Sequence, residues 1–90
     1  MQVEWDPQKA NTNLLKHGVT LGEAATIFFD DLSQTGYDPD HSMDEDRFAT
    51  FRVSSLGRLL VVTHTNRNER IRMISARRAK RSERKIYEQG

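Results

Sequence analysis

The 90-residue sequence contains no cysteine, only two prolines and a single tryptophan. The absence of cysteine excludes disulfides and thiol chemistry, and it is typical of proteins from a reducing compartment. The longest apolar run covers residues 59–62, far below the roughly 18 residues that cross a membrane. No basic start followed by an apolar segment opens the sequence, so we expect no signal peptide. These absences predict a cytoplasmic protein with no membrane segment.

The net charge of +1 hides a strong separation of charge along the chain. Residues 1–46 hold ten Asp or Glu and two Lys, whereas residues 67–90 hold nine Lys or Arg and three Glu. A chain of this length forms one domain with a modest core, so we expect a single domain over residues 1–90. The basic end indicates a face that attracts phosphates, as in nucleic-acid binding. The alternative is a C-terminal helix whose charge serves only solubility.

The N-terminal third predicts one strand and two helices. Val3 and Trp5 alternate with polar residues, which is typical of a short strand. Asp6-Pro7 predicts a helix start, and Gly18 predicts its end near residue 17. A capping box of Thr20 and Glu23 predicts a second helix, which the acidic residues 30–31 end.

The remaining two thirds predict a sheet and a final helix. Four further strands are expected at residues 32–37, 47–54, 58–65 and 71–76, and a short charged helix at residues 80–88. The order β-α-α-β-β-β-β-α predicts an α+β fold with two N-terminal helices packed on an antiparallel sheet. The register of the last hairpin stays open. A four-residue loop pairs His64 with position 71 and turns Arg72 away, whereas a three-residue loop places Arg72 opposite His64.

Several side chains have two interpretations. His64 on the apolar strand is either a structural hydrogen-bonding residue or a proton-transfer group. Arg72 interrupts an apolar strand, where an unpaired charge is costly, so it is either ion-paired or faces an anion-binding groove. Arg77 and Arg78 follow at the strand end, and only one of an adjacent pair can face a given groove.

RNA cleavage needs a group that removes the 2′-hydroxyl proton, a cation that stabilises the phosphorus-centred charge, and an acid for the leaving oxygen. Arginine suits the second task because its planar fork matches phosphate oxygens. Nothing in the sequence requires a metal or cofactor, so we expect none. The alternative is a divalent ion in the acidic loop that contains Asp38, Asp40 and His41, with residues 44–46 nearby.

A series of different short motifs covers almost the whole sequence. They are the Glu-Trp-Asp-Pro of residues 4–7 with Lys9, Asn13-Leu14, residues 16–19, Glu23-Ala24 with Phe28, residues 38–42 with Glu45 and Arg47, residues 57–62 with His64-Thr65, residues 70–72 and 74–79, Glu83-Arg84, and Tyr87-Glu88. In this order and at this length, the sequence resembles the BrnT family of toxins from bacterial type II toxin–antitoxin pairs.

The resemblance implies a RelE/ParE-like fold and a ribonuclease toxin that arrests growth, which we expect to act without metal. It also implies a ribbon-helix-helix antitoxin (BrnA), an assembly of two toxins with an antitoxin dimer, and binding of promoter DNA through the antitoxin. Two other hypotheses remain: a nucleic-acid-binding module without catalysis, and a basic surface that mainly docks an acidic partner segment.

Residue roles follow as hypotheses. Arg72 and Arg77 hold the scissile phosphate, Tyr87 or His64 transfers a proton, and Glu83 is a possible base. Glu83 and Tyr87 are four residues apart, so they share one helical face. Five further basic residues are expected to contact RNA, namely Lys9, Lys16, Arg70, Arg78 and Arg81.

Overall fold

The protein folds as a five-stranded sheet with helices against it. The computed structural model describes residues 2–89, with the side chain of His41 excepted. The elements are β1 (Gln2–Glu4), α1 (Pro7–His17), α2 (Leu21–Ala25), β2 (Gln34–Tyr37), β3 (Phe48–Val53), β4 (Leu59–Arg67), β5 (Arg70–Arg78) and α3 (Arg81–Gln89). Two short 3₁₀ helices cover Thr26–Phe29 and Pro39–His41. Within residues 2–89, no helix has the length and apolar character needed to cross a membrane.

The strand order across the sheet is β1-β5-β4-β3-β2. The α+β class and the element order predicted from the sequence are confirmed. The prediction of an antiparallel sheet is wrong at one edge, because β1 pairs with β5 in parallel. Two helices and the whole antiparallel meander separate these two strands in the sequence. That long connection allows β1 and β5 to run in the same direction.

The hairpin between β4 and β5 has a register that neither expected loop length gives. Its turn has two central residues, Asn68 and Glu69, both with positive φ (49° and 64°), as in the tight turns that match strand twist. The turn pairs Arg67 with Arg70, and this register places His64 opposite Met73. A bulge between Thr63 and His64 shifts the pairing beyond that point, so that Thr63 lies opposite Ser75. The expected four- and three-residue loops are both wrong because the strands continue through positions 66, 67 and 70.

The helix ends follow the local signals. The Asp6 carboxylate caps α1 by accepting from the Gln8 N–H at 2.9 Å. Gly18 ends α1 in the left-handed region (φ 68°), and its N–H donates to the Leu14 carbonyl. The Thr20 hydroxyl accepts from the Glu23 N–H at 3.0 Å, as expected for α2. However, α2 is shorter than predicted, because the chain tightens into a 3₁₀ helix after five residues.

The core lies between the two N-terminal helices and one face of the sheet. Its members are apolar and almost inaccessible to solvent, and they include Val19, Leu21, Ala24, Ile27, Phe28, Leu60, Val62, Met73 and Ala76. Leu60 and Val62 alternate along β4, so the residues between them face the other side of the sheet. On that opposite face, α3 lies near one end, where Glu83 contacts Arg77.

Asn13 fixes the position of α1 on the sheet. Its buried amide donates to the carbonyls of Val19 (2.9 Å) and Ala76 (2.8 Å), and its side-chain oxygen accepts from the Ala76 N–H (2.9 Å). The edge of β5 is open there, because β1 pairs only with residues 70–72. α1 therefore lies along the C-terminal half of β5, with Lys9 and Lys16 exposed beside it.

Glu23 forms a buried ion pair that joins α2 to the sheet. Its carboxylate accepts from Arg58 Nε (3.0 Å) and, in a second short contact, from Arg58 Nη2. The Ser54 hydroxyl donates to the same carboxylate at 2.6 Å. Arg58 lowers the pKa of Glu23. The Glu23 side chain therefore bonds to the connection between β3 and β4. In a complete capping box it would instead accept from the backbone N–H of Thr20.

Candidate functional site

A groove lies on the sheet face that is opposite the core. The register aligns Phe51, Val61 and Arg77 in one row across β3, β4 and β5, and the next row ends at Ser75. Residues of both rows line a cavity of about 450 Å³. α3 flanks this cavity through Glu83, and the β2–β3 connection flanks it through residues 38 and 47.

Arg77 and Glu83 form a two-pronged ion pair within this cavity. Arg77 Nη1 lies 2.7 Å from Glu83 Oε1, and Arg77 Nη2 lies 2.9 Å from Oε2. Glu83 Oε1 also accepts from the backbone N–H of Lys80 at 2.7 Å. The pair therefore orients the guanidinium and holds the first turn of α3 against β5. Arg77 lowers the pKa of Glu83 to about 2, so Glu83 is ionised at neutral pH.

This ion pair gives the fold an acid-sensitive contact. The pKa of Glu83 is about 2 against an ordinary value of 4.5, so its stabilisation is full above pH 4.5 and is lost as the pH falls toward 2. Because Arg77 is partly exposed, we expect Glu83→Gln to lower the free energy of unfolding at pH 7 by only about 1 to 2 kcal/mol. Urea unfolding at pH 7 and pH 2 measures this difference. An equal difference at both pH values would contradict the ion-pair origin.

A second cavity extends the first one toward α1. It measures about 230 Å³ and is lined by Lys9, Thr12, Asn13, Lys16, His17, Ile74 and Ser75. His17, Ile74 and Ser75 line both cavities. The two cavities are therefore adjacent. Together they are here called the basic groove, which extends from Lys9 on α1 across β5 to Arg77.

His64 lies on the other face of the sheet, beneath the helical layer. Its side chain is 3% exposed, and its ring meets Phe28 edge-on with centroids 4.9 Å apart. His64 Nε2 is 2.7 Å from the Thr50 hydroxyl, which is itself 2.7 Å from that of Thr35. Burial lowers the pKa of His64, and the nearby Asn66 side chain partly opposes this shift. These contacts fit the structural interpretation of His64.

Arg72 does not join Arg77. Its Nη1 donates to Glu4 Oε2 at 2.7 Å, because the parallel pairing of β1 places Glu4 directly beside it. Arg70 approaches the same carboxylate at 3.5 Å. Five residues of strand put the Cα atoms of Arg72 and Arg77 on the order of 15 Å apart. Contrary to expectation, Arg72 and Arg77 are therefore too far apart to bind one phosphate together.

Tyr87 is hydrogen-bonded in a crevice that adjoins the basic groove, since Phe51 and Glu83 line both. Its hydroxyl accepts from Arg52 Nη1 at 2.5 Å, and Arg52 Nε donates to Asp30 at 2.6 Å. Tyr87 lines a small crevice of about 130 Å³ between α3 and the sheet. These contacts make Tyr87 a second tether of α3, in addition to Glu83.

The remaining predicted RNA contacts are divided between surfaces. Lys9 and Lys16 line the basic groove, as expected from their shared helical face. Arg78 is exposed on the side of β5 that faces away from Arg77, because successive strand residues alternate. Arg81 is exposed at the first position of α3.

Three groove residues were missed by the sequence analysis. They are His17, Ser75 and Arg47. His17 lies about two helical turns after Lys9 on α1, so a groove at Lys9 predicts His17 as well. Ser75 precedes Arg77 by two residues and therefore shares its face of β5. Arg47 lines the groove because of the way the β2–β3 connection folds. In that connection, the Arg47 N–H donates to the Ser42 hydroxyl at 2.9 Å.

The acidic loop was the alternative site for a divalent ion. Among the side chains that the structure describes, no three of His, Asp or Glu lie close enough together to hold a metal ion. The His41 side chain, which belonged to that hypothesis, lies outside the described part.

The comparisons with known proteins bear on this geometry. A sequence model of the family described as "Ribonuclease toxin, BrnT, of type II toxin-antitoxin system" matches residues 5–83. The chain belongs to the BrnT family. A crystal structure of the BrnT ribonuclease toxin from Brucella abortus is similar in fold, with a TM-score of 0.65 and 21% identity over 90% of this chain and 99% of that chain. No curated protein matches the chain significantly in sequence.

Membership of the BrnT family confirms the resemblance drawn from the motifs. It supports a toxin role, ribonuclease activity and an antitoxin partner for this chain. The structural similarity supports the α+β fold of a BrnT toxin. The wider RelE/ParE-like relationship stays a prediction.

Proposed function

We propose that the basic groove binds RNA and cleaves it without a metal ion. The observation that carries this proposal is the shared lining of the two adjacent cavities, which places Lys9 and Lys16 in the same groove as Arg77. The lysines can neutralise phosphates that flank the cleaved one. The planar guanidinium of Arg77 binds both carboxylate oxygens of Glu83. Two phosphate oxygens can accept the same pair of parallel hydrogen bonds.

In this mechanism, Arg77 stabilises the negative charge that develops on the phosphate during attack by the 2′-oxygen. A phosphate bound to Arg77 competes with Glu83 for the same N–H groups. Glu83 then loses the main cause of its low pKa and becomes a stronger base. The ion pair therefore keeps Arg77 oriented before RNA binds and provides a carboxylate beside the phosphate afterwards.

We also propose how the antitoxin acts on this site. The antitoxin is a ribbon-helix-helix protein of the BrnA type. Two toxin chains assemble with one antitoxin dimer, and this complex binds promoter DNA through the antitoxin. Four cationic side chains of the groove, Lys9, Lys16, Arg47 and Arg77, complement an acidic segment. Such a segment blocks RNA by occupying the groove. A purified complex that still cuts RNA would exclude this mode of inhibition.

A second candidate function is nucleic-acid binding without cleavage. The placement of His64 and Tyr87 favours it, because neither of these expected proton-transfer groups lines the basic groove. In that case the groove contributes to binding only, for instance on promoter DNA.

Incubation of the purified protein with labelled RNA in excess EDTA tests metal-independent cleavage and separates the two functions. We expect cleavage at an undiminished rate in EDTA. Retention of intact RNA, with or without added magnesium, would support the binding module instead. Cleavage that appears only after magnesium is added would overturn metal independence.

A further inference from the structure

We propose that the His17 imidazole is the acid of RNA cleavage in the basic groove, an inference that rests on the proposed function. Glu83 accepts the proton of the 2′-hydroxyl as the 2′-oxygen forms its bond to phosphorus. The bond between phosphorus and the 5′-oxygen breaks, and His17 donates a proton to that leaving oxygen. His17 is the last residue of α1 and is half-buried. It lines both cavities of the groove, at the point where they join beside Ile74 and Ser75. RNA that runs from Lys9 to Arg77 must therefore pass His17.

The fold holds His17 firmly at this point. Asn13, one turn earlier on α1, is bonded to the backbone of Ala76 on β5. Gly18 turns the chain immediately after His17, and its carbonyl accepts from Arg58 Nη2 at 3.4 Å. The backbone on both sides of His17 is thus anchored by contacts to β5 and Arg58, which places the residue where the two cavities meet.

The geometry places His17 near the phosphate-binding residue. Ser75 touches the same cavities as His17, and Arg77 lies two residues further along the same face of β5. Two residues of strand span about 7 Å. Ser75, which lines both cavities together with His17, therefore lies about 7 Å along the strand from the arginine that holds the phosphate.

Other groups of the groove are less suited to this task. Imidazole changes its charge between pH 5 and 8, which allows it to both accept and donate a proton at neutral pH. His64 is buried on the opposite face of the sheet. The charged groups that line the groove with His17 are Lys9 and Lys16 on α1, Asp38 and Arg47 from the β2–β3 connection, Arg77 on β5 and Glu83 on α3.

Two simpler roles must be separated from proton transfer. A cation at the C-terminus of α1 is stabilising through the helix dipole, and a protonated imidazole can bind a phosphate as any cation does. His17→Lys keeps a positive charge at this position, but its ammonium does not exchange protons readily near neutral pH. His17→Gln keeps hydrogen bonding and removes the charge.

We expect both variants to cleave RNA about 100-fold more slowly than the wild type, the scale of a lost acid–base group. His17→Lys should retain RNA with unchanged affinity. The wild-type cleavage rate should show a pH limb that both variants lack. Leu15→Ala is the matched control, because Leu15 is 89% exposed on the same helix and should leave the rate unchanged.

Three outcomes would overturn the inference. They are cleavage by His17→Lys at the wild-type rate, persistence of the pH limb in His17→Gln, and an equal loss of rate in Leu15→Ala. The proposed function fails separately, because a wild-type protein that cuts no RNA refutes cleavage before any variant is compared. Thermal unfolding of each variant shows that its fold is retained.

Discussion

Arg77→Ala is expected to lower the rate of RNA cleavage by at least about 100-fold, the usual cost of removing one preorganised charge-stabilising donor. Arg77 is the arginine of β5 that lies in the basic groove, and its fork is oriented by two bonds to Glu83. Without it, the developing charge on the phosphate loses its closest cation. Single-turnover cleavage of a labelled RNA at saturating protein measures the change directly.

Arg72→Ala is the matched control for this experiment. Arg72 is also an arginine of β5 that is ion-paired with a glutamate, but it does not line the basic groove. We expect its variant to cleave RNA within about threefold of the wild type, since removal of a partly exposed ion pair costs little. Equal losses for Arg72→Ala and Arg77→Ala would instead restore a joint role for both arginines.

Arg77→Lys distinguishes charge from geometry at the same position. A lysine retains the positive charge but lacks the planar fork. We expect a residual cleavage rate between those of Arg77→Ala and the wild type. Full activity in Arg77→Lys would show that simple charge is sufficient, and it would contradict two-pronged phosphate binding.

Glu23→Ala is expected to lower the free energy of unfolding by about 3 kcal/mol, the lower end of the cost of breaking a buried ion pair. The Glu23 side chain is 4% exposed and that of Arg58 is 28% exposed. The substitution leaves this half-buried guanidinium without its carboxylate and the Ser54 hydroxyl without its acceptor. Urea unfolding at pH 7 measures the loss.

Glu45→Ala provides the comparison at the surface. Glu45 makes a similar ion pair with Arg67 at 2.9 Å, but the Arg67 side chain is 53% exposed. Removal of such an exposed pair should lower the free energy of unfolding much less than removal of Glu23 does. If both glutamates proved equally costly to remove, burial would not be the source of the Glu23 contribution.

Local chemistry explains what the sequence predicts correctly. The Asp6 cap, the Gly18 end of α1 and the Thr20 cap of α2 depend on residues within four positions of each other. The structure has each of them. The alternation of apolar residues in β3 and the apolar run at the start of β4 likewise identify strands from neighbours alone.

Long-range pairing explains what the sequence does not predict. The separation of charge along the chain led us to expect one basic face. In the fold, acids of the first half neutralise arginines of the second half one by one. These pairs are Glu4 with Arg72, Glu23 with Arg58, Asp30 with Arg52 and Glu45 with Arg67.

The site was only partly predictable for the same reason. Arg77 and Glu83 are six residues apart, so a strand followed at once by a helix brings them together. The ion pair of Arg72 depends on the parallel pairing of β1, and the partner of His64 depends on the two-residue turn of the hairpin. The local sequence pattern specifies neither of them. His17 reaches the groove through the contact of Asn13 with Ala76, two residues far apart in the sequence.

Mapping RNA contacts by NMR tests most directly whether the basic groove is the RNA site. Titration of the labelled protein with a fully 2′-O-methylated RNA prevents attack by the 2′-oxygen and so keeps the RNA intact. We expect the largest amide shift changes at His17, Ser75 and Arg77, with smaller ones along α1 at Lys9. Shift changes confined to the hairpin around Asn66, on the His64 side of the sheet, would contradict the assignment.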